Sequence, residues 1–184
     1  MQWCNEHGYD LWEDGLKIYT TIDSRLQAYA EAAVEEHMTK LQQAFREHWG
    51  DKEPWRDEDG KVIKNFLARL ASRSPTQQAL ENRFGKGHDS VKILMTTPRV
   101  IETFTWDGVV DSMMTPMDSI RHYKTFLHAG LMSMDPNTAQ IRAWVGGIDH
   151  RYFKYDHVSQ GARQTGSTFK PFVYASAIEN GYSP

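Results

Sequence analysis

The chain is 184 residues long, room for one ordinary domain or a domain with an appendage, and 40% hydrophobic content with six tryptophans is enough to build a core. A net charge of −3 excludes the basic footprint of a nucleic-acid or anionic-lipid binder, and no run of about 18 or more apolar residues is present to cross a membrane as a helix. The single cysteine excludes an internal disulfide, and eight histidines without ligand spacing to cysteine or acid give no reason to expect a metal site.

Residues 1–15 are mixed and turn-rich, with Trp3, Tyr9, Leu11 and Trp12 following no clear period, and they read as a linker. The first residues lack the apolar segment of a signal peptide, and Cys4 reads as a tolerated or partly buried residue rather than a reactive thiol. Leu16 to Ile22 alternate and are rich in β-branched side chains, which predicts a strand with Leu16, Ile18, Thr20 and Ile22 on one face. Asp23 or Ser24 then caps a helix, with Gln27 placed to complete a capping box. Leu26, Ala30, Ala33, Val34, His37, Met38, Leu41 and Phe45 hold one face of that helix, and Gly50 follows it.

Residues 51–60 are expected to form a mobile loop, because seven of the ten are charged. Short helices are expected over 61–71 and 75–84; Gly85-Lys86-Gly87 is too short and isolated to be a phosphate loop. Val100 to Trp106 and Val109 to Met114 flank Asp107-Gly108, which predicts a hairpin on a type I′ turn. Thr115-Pro116-Met117-Asp118 starts a helix expected to reach about His128: a cap, proline at the first position, an acid at the third. A second hairpin pairs residues 130–134 with 140–145 around Asp135-Pro136-Asn137-Thr138. The aromatic stretch from His150 to Ser159 either lines a groove or packs over the loop that follows.

That loop carries the chemistry. Ser167 and Lys170 stand three residues apart, on one face of a helix. Pro171 belongs in a first helical turn, so the helix starts near Ser167, just after a permissive Gly166, and Gly181 ends it. A serine hydroxyl is a weak nucleophile until a base takes its proton. Lys170 can be that base only with a neutral amine, which burial and a helix N-terminus both favour. The Ser167 backbone N–H would be half of an oxyanion hole. By itself a Ser-x-x-Lys arises by chance roughly once in every chain or two of this length.

Its surroundings are more specific. Arg163-Gln164-x-Gly166-Ser167-x-Phe169-Lys170-Pro171-x-x-Tyr174 resembles the active-site signature of the class A penicillin-binding proteins, the bifunctional peptidoglycan synthases. Gly15-Leu16-x-Ile18-Tyr19-Thr20-Thr21-Ile22-Asp23-x-x-Leu26-Gln27 resembles the segment that opens the family's transpeptidase region. The aspartate-proline hairpin closed by Gly146-Gly147 resembles the start of its transpeptidase core. Thr165 replaces a usual proline, and Ala139 stands where glycine is common. A positive φ at Ala139 would cost about 1 kcal/mol without changing the topology.

The resemblance implies an α+β fold, an antiparallel sheet with packed helices, as part of a penicillin-binding transpeptidase of the serine β-lactamase type. It divides the chain into a linker (1–15), a strand and helix opening the transpeptidase region (16–48), an inserted segment (49–128) and the N-terminal part of the transpeptidase domain (129–184). It implies Ser167 as nucleophile and Lys170 as base, no cofactor, and peptidoglycan stem peptides and β-lactams as partners. It places the parent protein, a membrane-anchored glycosyltransferase-transpeptidase, on the periplasmic face of the bacterial inner membrane. The family's Ser-x-Asn and Lys-Thr-Gly motifs do not follow Lys170, so the chain alone is expected to be inactive. Two alternatives stay open. One is a non-catalytic piece whose residues 49–128 bind a regulatory protein or brace two domains. The other is a relative that senses or hydrolyses β-lactams, against which the Arg163-Gln164 lead-in and the stretch from Thr20 to Asp23 argue.

Overall fold

The longest helix begins where Asp23 can cap it. The computed structural model describes residues 2–183. After a short α1 (Gln2–His7) the chain runs without regular structure to Asp23, whose carboxylate accepts from the N–H groups of Arg25 and Leu26 and starts α2 (Ser24–Trp49). Cys4 is buried in α1. Gln27 closes no capping box: its amide donates to the Trp144 carbonyl at 3.0 Å and accepts from the Trp144 N–H at 2.8 Å. The buried stripe of α2 is narrower than its sequence pattern, with Ala30, Val34, Met38 and Gln42 inside and Leu26 and Leu41 in solvent.

That stripe packs on the second hairpin, β3 (Leu131–Met134) with β4 (Ile141–Val145), where Ala143 and Val145 complete the core. The hairpin is antiparallel, with a bulge between Ser133 and Met134. Its turn takes positive φ at Ala139, 57°, as the position usually held by glycine requires.

Residues 16–22 are not a strand. The described residues hold two separate two-stranded sheets, and this segment joins neither. It only brushes the free edge of β4: Thr21 Oγ1 donates to the Ile141 carbonyl and the Asp23 N–H to the Arg142 carbonyl. The contacts climb together, 21 with 141, 23 with 142 and 27 with 144, so the chain passes β4 parallel to it. Because α2 starts at Ser24, the Gln27 side chain takes the edge positions that a further strand residue would have used.

The middle of the chain builds a second cluster. Here α3 (Phe66–Ala71), α4 (Pro75–Phe84), α5 (Asp89–Thr96) and α6 (Pro116–Lys124) bury Ala71, Val91 and Met95, flanked by Leu80, Phe84, Met117 and Ile120. The Thr115 and Asp118 side chains form a reciprocal capping box on α6, which ends at Lys124, a turn before His128. The hairpin β1 (Arg99–Thr105) with β2 (Gly108–Met114) pairs Thr105 with Gly108, so the turn is Trp106-Asp107. Neither turn residue has positive φ and Gly108 takes 117°, which excludes the expected type I′ turn, in which both central residues need positive φ.

The charged segment 51–60 has an anchor its composition hides. Trp55 is buried, stacks on Phe66 at 5.1 Å and lies under the Arg121 guanidinium at 5.6 Å, while Arg56 bridges to Val62. Trp55→Ala is expected to destabilise the fold by about 3 kcal/mol, read as a lower urea midpoint at unchanged slope.

Candidate active site

Gly166 adopts φ +52° and turns the chain into a 3-10 turn, Gly166–Phe169, on which α7 (Lys170–Glu179) is stacked. The Lys170 N–H donates to the Ser167 carbonyl, and Pro171 occupies the first turn of α7, where a missing N–H costs nothing. Ser167 therefore lies in a 3-10 turn ahead of the α-helix rather than inside it. A 3-10 turn has three residues per repeat, so positions 167 and 170 eclipse on one side. Asn180 caps the far end and Gly181 follows at φ +84°.

Both residues are exposed. So is most of α7, which buries no side chain: Phe172 is 69%, Val173 51% and Ile178 60% exposed. These apolar side chains form an uncovered surface on α7.

The 150s stretch packs inward. Phe153 meets Phe104, Phe126 and His128 with ring centres 4.8–5.6 Å apart, and Tyr152 stacks on Tyr123 at 6.2 Å. Glu102 Oε1 accepts from Arg151 at 2.6 Å and from the Tyr152 hydroxyl at 2.7 Å. Desolvation and that hydrogen bond push the Tyr152 phenol up to about 12. The middle hairpin is thus fastened to the segment leading to Ser167. The same segment also lines a cleft of about 700 Å³, with Trp106, Trp144, Phe153 and Tyr155 on its walls and Glu31 and Glu35 among its acids. Ser167 and Lys170 do not line it. The sequence reading missed Trp106, Trp144 and the two glutamates as cleft residues, and no local signal could have found them, because only the tertiary fold brings them together.

His128 stacks on His157 at 4.9 Å. Burial, then the charges of His157 and Lys124, hold its pKa below the ordinary 6.5. A histidine depressed in the folded state stabilises above its unfolded pKa and loses that contribution as pH falls through the folded value. The urea midpoint is therefore expected to drop as pH is lowered from 7.5 towards 5, and His128→Phe to flatten the drop. An equal slope in the variant would contradict this.

A family model described as the penicillin-binding protein middle domain matches residues 50–127. The chain is 26% identical over 209 residues to penicillin-binding protein 1A of Pseudomonas aeruginosa, covering 96% of this chain and 25% of that protein. It is 28% identical over 199 residues to the protein of the same name from Neisseria lactamica, again covering 96% of this chain and 25% of the relative. A 58-residue stretch, 32% of this chain and 7% of the relative, is 48% identical to penicillin-binding protein 1A of Rickettsia felis. The chain thus spans about a quarter of the length of the first two relatives. No solved structure matches it.

Proposed function

The chain belongs to the class A penicillin-binding proteins, and on that premise we propose that it forms part of a peptidoglycan D,D-transpeptidase that works through an acyl-serine. The Ser167 oxygen attacks the carbonyl of the penultimate D-alanine of a stem peptide. Lys170 takes the hydroxyl proton and passes it to the amine of the departing D-alanine. The amine of a neighbouring stem then attacks the ester, restoring Ser167 and forming the cross-link. A β-lactam enters by the same first step, its ring amide opening onto Ser167. The observation that carries this reading is the placing of Ser167 and Lys170 in one turn, started by Gly166 and continued by Pro171.

The proposed organisation keeps 1–15 as linker, 16–48 as the opening of the transpeptidase region, 49–128 as a middle segment and 129–184 as transpeptidase; the family match over 50–127 supports the third of these. Among the described residues no helix is long and apolar enough to cross a membrane. The periplasmic face of the inner membrane is proposed from the family alone.

The test is labelling of the complete protein with a fluorescent penicillin and mapping of the modified peptide. Label is expected on Ser167, and label elsewhere would sink the assignment. The 184-residue chain alone is expected to stay unlabelled at concentrations that saturate the complete enzyme. Its Ser167 and Lys170 are open to water. Stoichiometric mass addition to this chain would count against that expectation.

A further inference from the structure

Three glycines serve close approach rather than backbone freedom, and they converge on one segment. A Cβ at Gly130 would lie 2.9 Å from Val158 Cγ2, one at Gly146 2.8 Å from Asp156 Oδ1, and one at Gly161 2.6 Å from the His157 carbonyl oxygen. None of the three has positive φ. Residues 156–158 are thus enclosed from three directions by backbone that has room for no side chain.

Asp156 is the centre of that enclosure. Its Oδ1 accepts from the N–H groups of Val158 at 2.9 Å and Ser159 at 3.2 Å. Its Oδ2 accepts from the Ser159 hydroxyl at 2.7 Å and from the Trp144 indole N–H at 3.1 Å. The neighbouring backbone closes around it: the His157 N–H donates to the Gly146 carbonyl at 2.7 Å, and the Gln160 N–H to the Asp156 carbonyl at 2.9 Å. The Tyr155 hydroxyl holds the Gln160 carbonyl at 2.6 Å. The carboxylate therefore ties the exit of β4 to the point where the chain leaves for the serine, with only residues 162–166 between Gly161 and Ser167.

We propose that Asp156 is a positioning residue for acylation at Ser167, fixing where and in what direction the 162–166 segment departs. This rests on Ser167 being the nucleophile. Its Ser159 hydrogen bond, together with the backbone N–H groups, keeps the Asp156 carboxyl below the usual carboxylate range, so it remains an acceptor under mild acid. Acylation demands that oxygen and carbonyl meet in a narrow geometry, and small displacements are costly in rate.

The experiment uses the complete protein and a fluorescent penicillin, with the saturating acylation rate and the penicillin dissociation constant measured separately. Asp156→Ala is expected to lower the rate by about tenfold or more and leave the dissociation constant within about twofold. Asp156→Asn is expected to recover the rate in part, to within about fivefold of wild type, because its amide oxygen still accepts from both backbone N–H groups while its Nδ2 cannot accept from the Trp144 indole N–H. Should Asp156→Ala not fold, the pair Trp144→Phe and Ser159→Ala removes both Oδ2 donors and keeps the backbone bonds, with a fall of about fivefold expected. Wild-type kinetics in the folded variants, or a loss that Asn does not rescue, overturns the positioning role. Unaltered protein without label on Ser167 overturns the nucleophile assignment instead, and the proposal with it.

Discussion

Lys170→Ala in the complete protein is expected to slow acylation of Ser167 by about a hundredfold or more and to change penicillin affinity little, the pattern of a group that acts only on the way to the transition state. Lys170 opens α7 with its N–H on the Ser167 carbonyl, so the two side chains leave the backbone on the same side of one 3-10 turn. Lys170→Arg is expected to rescue nothing, because a guanidinium does not give up its proton in a protein. Ser167→Ala is expected to abolish labelling altogether. A lysine becomes a base when it is taken out of water, and α7 has an uncovered apolar face beside Lys170, with Phe172 and Val173 more than half exposed. Wild-type acylation in Lys170→Ala would assign the proton to another group.

The turn that carries Ser167 and Lys170 was legible because its information is local. Ser167, Lys170, Gly166 and Pro171 sit within six positions, and their backbone preferences predict a helix start there; the structure opens it with a 3-10 turn at Gly166–Phe169 and begins the α-helix at Lys170. The same holds for α4, with Pro75 behind a Ser74 cap, and for the capping box on α6. Information carried by tertiary partners was not legible. Residues 16–22 alternate like a strand, but the segment meets the edge of β4 only at its end, through Thr21, before Asp23 starts α2. The α5 helix went unseen because its cap is the ring nitrogen of His88, not a standard start signal, behind Gly85-Lys86-Gly87. Nothing in the sequence marks Gly130, Gly146 and Gly161 as close-approach positions; only the 156–158 segment packed against them does.

Gln42, which the apolar pattern of α2 leaves out, is placed by tertiary partners too, and its replacement tests the largest stability effect. The side chain is fully buried in the stripe that also holds Met38. A polar residue on the apolar face of a helix costs stability unless both ends of its amide are satisfied. Here they are: Nε2 donates to the Thr125 carbonyl at 2.9 Å and Oε1 accepts from the Leu127 N–H at 2.8 Å. Gln42 thus substitutes for a neighbouring strand, as Gln27 does at β4, and only one placement of α2 against residues 125–127 makes both bonds. Gln42→Leu preserves shape but leaves a buried carbonyl and a buried N–H without partners, each costing about 1–3 kcal/mol. A loss of about 3 kcal/mol or more is expected, seen as a lower urea midpoint with the slope unchanged. Gln43→Leu, one position along in solvent, should change stability by less than about 0.5 kcal/mol. The consequence extends beyond α2. Residues 125–127 carry Phe126, which packs on Phe104 and Phe153 beneath the segment that leads to Ser167. Gln42→Leu is therefore expected to raise hydrogen exchange at 125–128 and 152–157 before any global unfolding. Wild-type stability and exchange in Gln42→Leu would mean that water serves the two backbone groups as well as the amide does.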